Sequence, residues 1–304
     1  MQTPSRQTLR GKKNLIYIIP HKAQKINILT GQIPALPILL KVLSYRHTAG
    51  RMLKSIGVEK VPYVEEICQA GRVRETRKYY TARYHKPGIQ RQKNFRPTPK
   101  EQVHVNDRHA EMKLRRLLNA NYGPGDFHIT LTYRPEDRPS PEDVPAILEK
   151  FWRGMRKAYR AAGQELKYIV VTEWGKRGTV HHHLVVPQHD LREVRKLWPY
   201  GGMHVSVMDD TGQYAQLASY LIKQTRQSFR DGKYPFGRRW NSSRNLIKPK
   251  IKIEVVGRNS WRKEPKPLKG YYLEQSRTVN GEFFGFEYQF YSMVQIPEKQ
   301  RRRC

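Results

Sequence analysis

Residues 172–186 of the chain read TEWGKRGTVHHHLVV. The run places His181 and His183 one residue apart among β-branched residues, and Glu173 stands eight positions before His181. In a strand, residues i and i+2 lie on the same face, so His181 and His183 point together while His182 points to the other side. The run therefore predicts a strand that presents two imidazoles on one face.

Two glycines separate the acid from the histidines. Gly175 and Gly178 favour a tight turn that folds the strand of Glu173 back beside the histidine strand. Two imidazoles and a carboxylate suit a divalent cation. The run alone leaves two other interpretations open. The histidines are structural or surface residues in one, and in the other a different register uses His182 with another ligand, although only His181 and His183 share a face.

The charge of the chain is its strongest compositional feature. Its 304 residues include 58 Lys and Arg against 26 Asp and Glu, a net charge of +32. Solubility needs a net charge of only roughly 2–8 in a small domain. An excess of this size, spread along the chain, predicts a polyanionic partner, and we expect nucleic acid rather than a membrane surface.

Several classes of protein are disfavoured. No apolar run reaches the roughly 20 residues that a membrane span needs, and the N-terminus has no signal-peptide pattern. Cys68 and Cys304 are too few for a disulfide framework or a four-cysteine zinc site, which is typical of a protein of the reducing cytoplasm. We expect a cytoplasmic protein with no membrane contact.

Composition divides the chain into four regions. Residues 1–58 are a basic extension without sustained periodicity, and residues 59–104 are a basic β and linker lead-in. Residues 105–230 are the best-patterned part, and residues 231–304 are β-rich, basic and aromatic. In the last region the aromatic residues alternate with Lys and Arg. They suit either the stacking of single-stranded bases or packing in a core.

The pattern of residues 105–230 predicts the fold class. Phe127–Tyr133 alternates with period two and predicts a strand, and Ser140 is placed to cap a helix that continues to about Ala162. With the strands and helices that follow, up to a helix over 212–227, the order is β-α-β-β-α-β-α. This order predicts an α+β domain with an antiparallel-rich central sheet and helices on one face, of ferredoxin-like or RRM-like kind.

The last of these helices carries two tyrosines in different settings. On a helical wheel of residues 213–225, Tyr214 falls on the apolar stripe and Tyr220 shares a polar face with Lys223. A free phenol has a pKa of about 10, so a phenolic nucleophile needs a nearby cation at neutral pH. Tyr220 and Lys223 are thus candidate catalytic residues, and Tyr214 is expected in the core. Surface helices also carry such pairs without any catalytic role.

Three motifs occur in one order along the chain. They are the strand 127–133, the histidine triplet 181–183 and the segment 220–223. Together they resemble the HUH endonuclease superfamily. Within it, the chain is similar to the rolling-circle replication initiators of phages and plasmids, close to the replication-associated type that includes the filamentous-phage gene II protein. One departure is His182, because the family usually has a bulky hydrophobic residue between its histidines.

The resemblance implies a chemistry and a residue for each role. Glu173, His181 and His183 would hold Mg²⁺ or Mn²⁺, and Tyr220 would attack a phosphodiester of single-stranded DNA to give a 5′-phosphotyrosine. Lys223 would steady the phenolate or the phosphate. The implied function is the nicking and rejoining of single-stranded DNA at a replication origin, by an enzyme with a single catalytic tyrosine.

The resemblance also implies partners. Lys176, Arg177, Arg226 and Arg244 are expected to contact the DNA. No Gly-x-x-x-x-Gly-Lys-Ser/Thr phosphate loop occurs in the sequence, so a separate or host helicase would unwind the duplex. Two alternatives stay open, namely a relaxase or single-strand transposase of the same superfamily and a non-catalytic basic protein that binds nucleic acid. Relaxases usually place their tyrosine before the histidine motif, whereas here it follows.

Overall fold

The structure is a computed structural model, and the description covers six ranges of the chain. These are residues 63–81, 100–175, 178–226, 238–256, 263–280 and 287–297, without the side chains of Lys100, Glu101 and Asn280. All six belong to one compact unit, Tyr45–Cys304. The expected basic extension, residues 1–58, lies outside the described residues, as do Lys176 and Arg177.

The described residues form four α-helices and ten β-strands, and the strands make up two sheets. The helices are α1 (Lys100–Asn121), α2 (Val144–Ala161), α3 (Leu191–Lys196) and α4 (Ala215–Gln224). The strands are β1 (Tyr63–Ala70), β2 (Val73–Tyr80), β3 (Phe127–Thr132), β4 (Ile169–Trp174), β5 (Val180–Val186), β6 (Met203–Val207), β7 (Asn241–Ser242), β8 (Ile251–Val255), β9 (Tyr271–Asn280) and β10 (Glu287–Gln295).

Strands β3 to β7 form the first sheet, called here the histidine sheet. Its strand order is β6-β3-β5-β4-β7, and every pairing is antiparallel. The order of elements from β3 to α4 is β-α-β-β-α-β-α, as the sequence pattern predicts. The α+β class with an antiparallel sheet is therefore confirmed. The sheet also takes its edge strand β7 from beyond residue 230.

Helices pack on both faces of the histidine sheet, although the sequence pattern predicts them on one face. The first face carries Phe127, Ile129 and Leu131 and packs against α2 and α3. The second face carries Val171 and Val185 and packs against α1 and α4. The reason lies in β4, whose apolar residues run without alternation and are buried on both sides. Such a run is typical of a strand covered on both faces.

Helix α2 begins later than the capping pattern predicted. It starts at Val144, four residues after Ser140, and its N-cap Asp143 makes no side-chain capping bond. The hydroxyl of Ser140 donates to Asp143 Oδ2 over 2.7 Å, and the backbone N–H of Asp143 donates to the carbonyl of Ser140 over 3.2 Å. Ser140 thus closes a turn before the helix, and the predicted cap is wrong.

The second sheet, called here the flanking sheet, joins strands from both ends of the described chain. Its order is β8-β1-β2-β10-β9, so residues 63–80 pair with residues 251–255 and 287–295. All its pairings are antiparallel. The two segments that the sequence treats as a lead-in and a C-terminal region are therefore neighbours in one sheet.

Buried ion pairs attach the flanking sheet to α1. Arg116 of α1 pairs with Glu75 at 2.7 Å and with Glu66 at 3.0 Å, and Arg115 pairs with Glu75 at 2.7 Å. Arg77 also contacts Glu66. Side chains of Glu66, Glu75 and Arg116 are at most 6% exposed. Carboxylates on one sheet and guanidinium groups on one helix thus fix the position of the two elements.

Aromatic side chains of β9 and β10 reach the surface of the flanking sheet. Tyr272 is exposed, and Tyr288, Phe290 and Tyr291 are partly exposed. Lys78 lies over the ring of Tyr291, with 5.7 Å from Nζ to the ring centroid. These aromatic residues are therefore accessible at least in part, whereas Trp240 of the same region packs against the core on the second face of the histidine sheet. Each of the two interpretations thus holds for part of the region.

None of the described helices combines the length and apolar character that a bilayer span requires.

Candidate active site

Strands β4 and β5 bring three predicted metal ligands together on the second face of the histidine sheet. Glu173 is the direct cross-strand neighbour of His181, and His183 is its diagonal neighbour. The backbone N–H of Gly175 donates to the carbonyl of Thr179 over 2.7 Å and closes the predicted turn between the two strands. His183 Nε2 lies 3.1 Å from Glu173 Oε2, and His181 Nδ1 lies 3.8 Å from the same oxygen.

The histidines keep the Glu173 carboxylate ionised. Hydrogen bonding and charge from His181 and His183 lower the pKa of Glu173 to about 2, although partial burial opposes the shift. An ionised carboxylate only accepts hydrogen bonds, so Nε2 of His183 is the donor in this contact. Nδ1 of the same ring lies 3.3 Å from the hydroxyl of Thr130, within hydrogen-bond distance. Thr130 and Glu173 therefore fix the orientation of the His183 ring.

His182 lies on the first face, in the core, as the period-two pattern predicts. Its side chain is completely buried and contacts the hydroxyls of Tyr133 and Thr172, each at 2.9 Å. Burial lowers the pKa of His182 to about 3, so the ring is neutral, and one ring nitrogen donates while the other accepts. The middle histidine is a fully bonded core residue and does not face Glu173.

Helix α4 presents Tyr220 to His183. The helix is anchored by Ala218, Leu221 and Ile222, which are buried against the second face of the sheet. Tyr220 points away from these residues and is 42% exposed. Its ring centroid lies 5.4 Å from that of His183, with the two rings perpendicular. The phenol therefore lies beside the predicted metal ligands and is open to solvent.

The other predicted site residues have different surroundings. Tyr214 is buried and donates its hydroxyl to the carbonyl of Asp209 over 3.1 Å, as expected of a core tyrosine. Lys223 is exposed on α4, one turn after Tyr220. Arg226 forms an ion pair with Asp107 at 2.9 Å, so part of its charge is balanced within the protein.

The DNA-contact candidate Arg244 lies at the surface. It is exposed in the segment that follows β7. Lys176 and Arg177, which stand between β4 and β5 in the sequence, lie outside the described residues. Among the four basic residues predicted to contact DNA, the structure therefore describes Arg226 and Arg244 only.

A third histidine, His128, belongs to the site and was not singled out from the sequence. Its ring stacks beside that of His183 at 5.7 Å between centroids and lies 6.1 Å from the ring of Tyr220. Burial, and then the charge of His183, lower the pKa of His128 to about 4. Its Nε2 is buried and has no hydrogen-bond partner among the described residues. The sequence pattern of β3 could have identified this residue, because His128 alternates with the apolar residues of the strand and so lies on the face opposite to them.

The donor set has the chemistry that a divalent cation needs. A nitrogen of His181 and a nitrogen of His183 both lie within 4 Å of one oxygen of the ionised Glu173 carboxylate, Oε2. Nitrogen and carboxylate oxygen donors suit Mn²⁺ and, through the carboxylate, Mg²⁺. Among the described residues, no cluster of three or more His, Cys, Asp or Glu side chains has ligand geometry as it stands. The chemistry of the donors fits, and the hydrogen bond between His183 and Glu173 has to open for both to bind one ion.

Comparison with known protein families gives a match over the central part of the chain. Residues 126–225 match the family model of replication-associated proteins of the ORF2 and gene II protein type. The matched range includes Glu173, the histidine triplet and Tyr220, and runs from the residue before β3 to the residue after α4. The chain matches no curated protein and no solved structure. Over this range the chain is similar to replication-associated proteins, which supports a replication initiator of the rolling-circle type.

Proposed function

We propose that this protein initiates rolling-circle replication by nicking and rejoining single-stranded DNA at an origin. The observation that carries the proposal is the position of Tyr220, whose ring lies 5.4 Å from that of His183 while His183 and Glu173 share a hydrogen bond. A nucleophile beside a set of metal ligands is the arrangement that metal-assisted phosphoryl transfer needs. The match to replication-associated proteins supports the same reaction class.

Glu173, His181 and His183 are the residues that would hold the cation. Mg²⁺ or Mn²⁺ bound there would polarise the scissile phosphodiester and stabilise charge on its non-bridging oxygens. Thr130 supports this set because its hydroxyl holds Nδ1 of His183. Ring orientation fixed by a second hydrogen bond is typical of histidines that bind metals.

Tyr220 is the proposed nucleophile. Its phenolic oxygen forms a bond to phosphorus and gives up its proton to solvent, while the bond from phosphorus to the 3′ oxygen breaks and that oxygen takes up a proton from solvent. The products are a 5′-phosphotyrosine and a strand with a free 3′-OH, which can prime synthesis. Attack by that 3′-OH on the phosphotyrosine reverses the step and rejoins the strand. Lys223, one turn away, would steady the phenolate or the phosphate by its charge.

The net charge of +32 supports a single-stranded DNA partner along the rest of the protein. Arg244 is exposed and Arg226 is partly exposed, so both can meet phosphates. We also propose that Lys176 and Arg177, which follow Glu173 closely in the sequence, contact the DNA. A separate helicase would supply the unwinding.

A denaturing gel tests the proposal. Single-stranded oligonucleotides of random sequence, labelled at the 3′ end, are incubated with protein and Mn²⁺. We expect the label to move with the protein in SDS, because the 5′ phosphate of the labelled fragment is joined to Tyr220. Tyr220→Phe should lose this adduct by at least a factor of about 10³, since it removes the nucleophile.

Tyr214→Phe is the matched control, because it makes the same change at the start of the same helix and should retain the adduct. EDTA should abolish the adduct of the unaltered protein, because it removes the divalent cation. An adduct that survives in Tyr220→Phe, or a label that reaches the protein only from the 5′ end, would contradict the proposal. Reversible binding with no adduct under any condition would favour the non-catalytic alternative.

A further inference from the structure

A cleft of about 300 Å³ opens beside the candidate nucleophile, between the end of β6 and the first turn of α4. His128 forms part of its wall, and the ring of His128 lies 6.1 Å from that of Tyr220. Ser206 is the cross-strand neighbour of His128, so its side chain lies on the same face of the histidine sheet. The ring of His128 therefore lies between the cleft and the phenol of Tyr220.

The lining of the cleft is neutral or acidic. Its polar residues include Ser206, Asp209, Gln213 and Gln216, and no described lining residue is Lys or Arg. The Asp209 carboxylate is fixed because Oδ1 accepts from the N–H and the hydroxyl of Thr211. A carboxylate and no cation disfavour a phosphate in this cleft. The same groups offer donors and acceptors for the edge of a base.

The wall formed by His128 suits the flat face of a base. An imidazole ring presents a π surface on which a single-stranded base can stack. A carboxylate accepts from the exocyclic amine of cytosine, and a glutamine amide pairs with adenine. Thymine has no exocyclic amine. The chemistry of the lining therefore matches cytosine or adenine better than thymine.

We propose that this cleft binds one unpaired base, cytosine or adenine, of the strand whose phosphate lies at Tyr220. The inference rests on the proposed function and extends it, because it assigns to the cleft the selection of one nucleotide beside the nick. Asp209 and Gln216 read the edge of the base, and His128 stacks on its face.

Binding without cleavage tests the inference separately from the nicking reaction. Full-length protein is titrated into fluorescent dT12, dC12 and dA12 in EDTA, at a salt concentration high enough to weaken phosphate contacts. We expect dC12 or dA12 to bind at least about fivefold more tightly than dT12, the effect of one well-bound base. Ser206→Trp, which places an indole in the cleft, should remove this preference.

Ser276→Trp is the matched control. Ser276 is an exposed residue of β9, an edge strand of the flanking sheet, just as Ser206 is an exposed residue of the edge strand β6. The Ser276→Trp variant should therefore keep the preference of the unaltered protein for dC12 or dA12 over dT12. Asp209→Asn, which keeps the shape of the side chain, should reduce the preference severalfold.

Three results would overturn the inference. They are equal binding of the three oligonucleotides, no binding of any of them, and a preference that persists in Ser206→Trp. If the preference depends on Ser206 while no covalent adduct forms, the cleft binds a base and the proposed nicking activity fails. If the adduct forms and the preference is absent, the nicking proposal stands and the cleft has another role.

Discussion

At the scale of single residues, three consecutive histidines have two different kinds of surroundings. The side chain of His181 is 38% exposed beside Glu173, whereas His182 is fully buried between Tyr133 and Thr172. Successive side chains of a strand point to opposite faces of the sheet, so His182 points away from His181 and His183. The ring of His182 has no contact with water because helices α2 and α3 cover the face on which it lies. The two side chains should therefore differ in their contribution to stability.

His182→Ala should lower the free energy of unfolding by about 2–4 kcal/mol. The change removes a packed ring and leaves the hydroxyls of Tyr133 and Thr172 without their partner. His181→Ala should change it by no more than about 0.5 kcal/mol, as is usual for exposed side chains. Urea unfolding at pH 7 measures both. Equal losses for the two variants would contradict the assignment of His182 to the core.

The sequence predicts some members of the site and not others, for reasons that differ by residue. The spacing of His181 and His183 gives a common face, and helical spacing separates Tyr220 from Tyr214. His128 was missed because periodicity gives the side of β3 on which a residue lies, but not the helix that covers that side. Its closeness to Tyr220 depends on the packing of α4, which no local pattern encodes.

At the scale of elements, the turn between β1 and β2 lies directly against α1. Gly71 has φ of +55°, and a Cβ at this position would lie 2.0 Å from the carbonyl oxygen of Asn119. The position thus needs glycine both for its backbone conformation and for the close approach of the helix. Gly163 also has a positive φ, of +69°, but a Cβ there meets no atom within 4 Å.

Gly71→Ala should therefore be far more destabilising than Gly163→Ala. We expect a loss of about 1 kcal/mol for Gly163→Ala, from the left-handed backbone alone. The loss for Gly71→Ala should be larger by at least about 1–3 kcal/mol, because the backbone of α1 has to shift. Thermal unfolding of both variants measures the difference. Similar melting temperatures would show that the turn does not lie against α1.

Helices and strands with one polar face follow their sequence pattern closely, and those covered on both faces follow it less closely. Alternation in β3 and the apolar stripe of α4 identified both elements. The run Ile169–Val171 of β4 is apolar on both sides of the strand, so its pattern does not tell how many faces of the sheet carry helices. The start of α2 was misplaced because the hydroxyl of Ser140 bonds to Asp143 and closes a turn.

At the scale of the whole molecule, the contact between the flanking sheet and α1 depends on Arg116. Its guanidinium serves both Glu66 and Glu75, and Glu75 is completely buried. Arg116→Met leaves these carboxylates without that partner, so we expect a loss of about 3–5 kcal/mol in the free energy of unfolding. Arg153→Met, at a residue of α2 whose side chain is 75% exposed, is the control and should have little effect. A loss below about 1 kcal/mol for Arg116→Met would contradict the proposed attachment.

The same network predicts a dependence on pH. Burial raises the pKa of Glu66, but hydrogen bonds and charge from Arg77 and Arg116 outweigh it, so the net pKa lies below its ordinary value. A carboxyl with a lowered pKa stabilises the fold above the pKa of the unfolded chain, about 4.3, and loses this effect as pH falls through the folded pKa. The stability gap between the unaltered protein and Glu66→Gln should be present at pH 6 and narrow below about pH 4.

Urea unfolding at several pH values measures this gap. Glu149→Gln is the control, because the side chain of Glu149 is 71% exposed, and its gap should stay small throughout. A gap for Glu66→Gln that widens with acid would reverse the sign and contradict the lowered pKa.

The flanking sheet is the part of the fold that the sequence did not predict. Composition separates residues 59–104 from residues 231–304, and each contains strand patterns. Pairing between them joins residues far apart in the chain, as in the register of Val64 with Val255. Such pairing depends on the whole fold, since local periodicity identifies strands but not their partners.

The separation of these strands along the chain sets an order of events during synthesis on the ribosome. Strands β1 and β2 are made first, yet their neighbours β8 and β10 are made only after the four described helices and all five strands of the histidine sheet. Until β8 and β10 are made, β1 and β2 can have only each other as neighbours in the flanking sheet, and the outer edge of each strand lacks its final partner. The last described strand to emerge, β10, is the one that completes the pairing of β2.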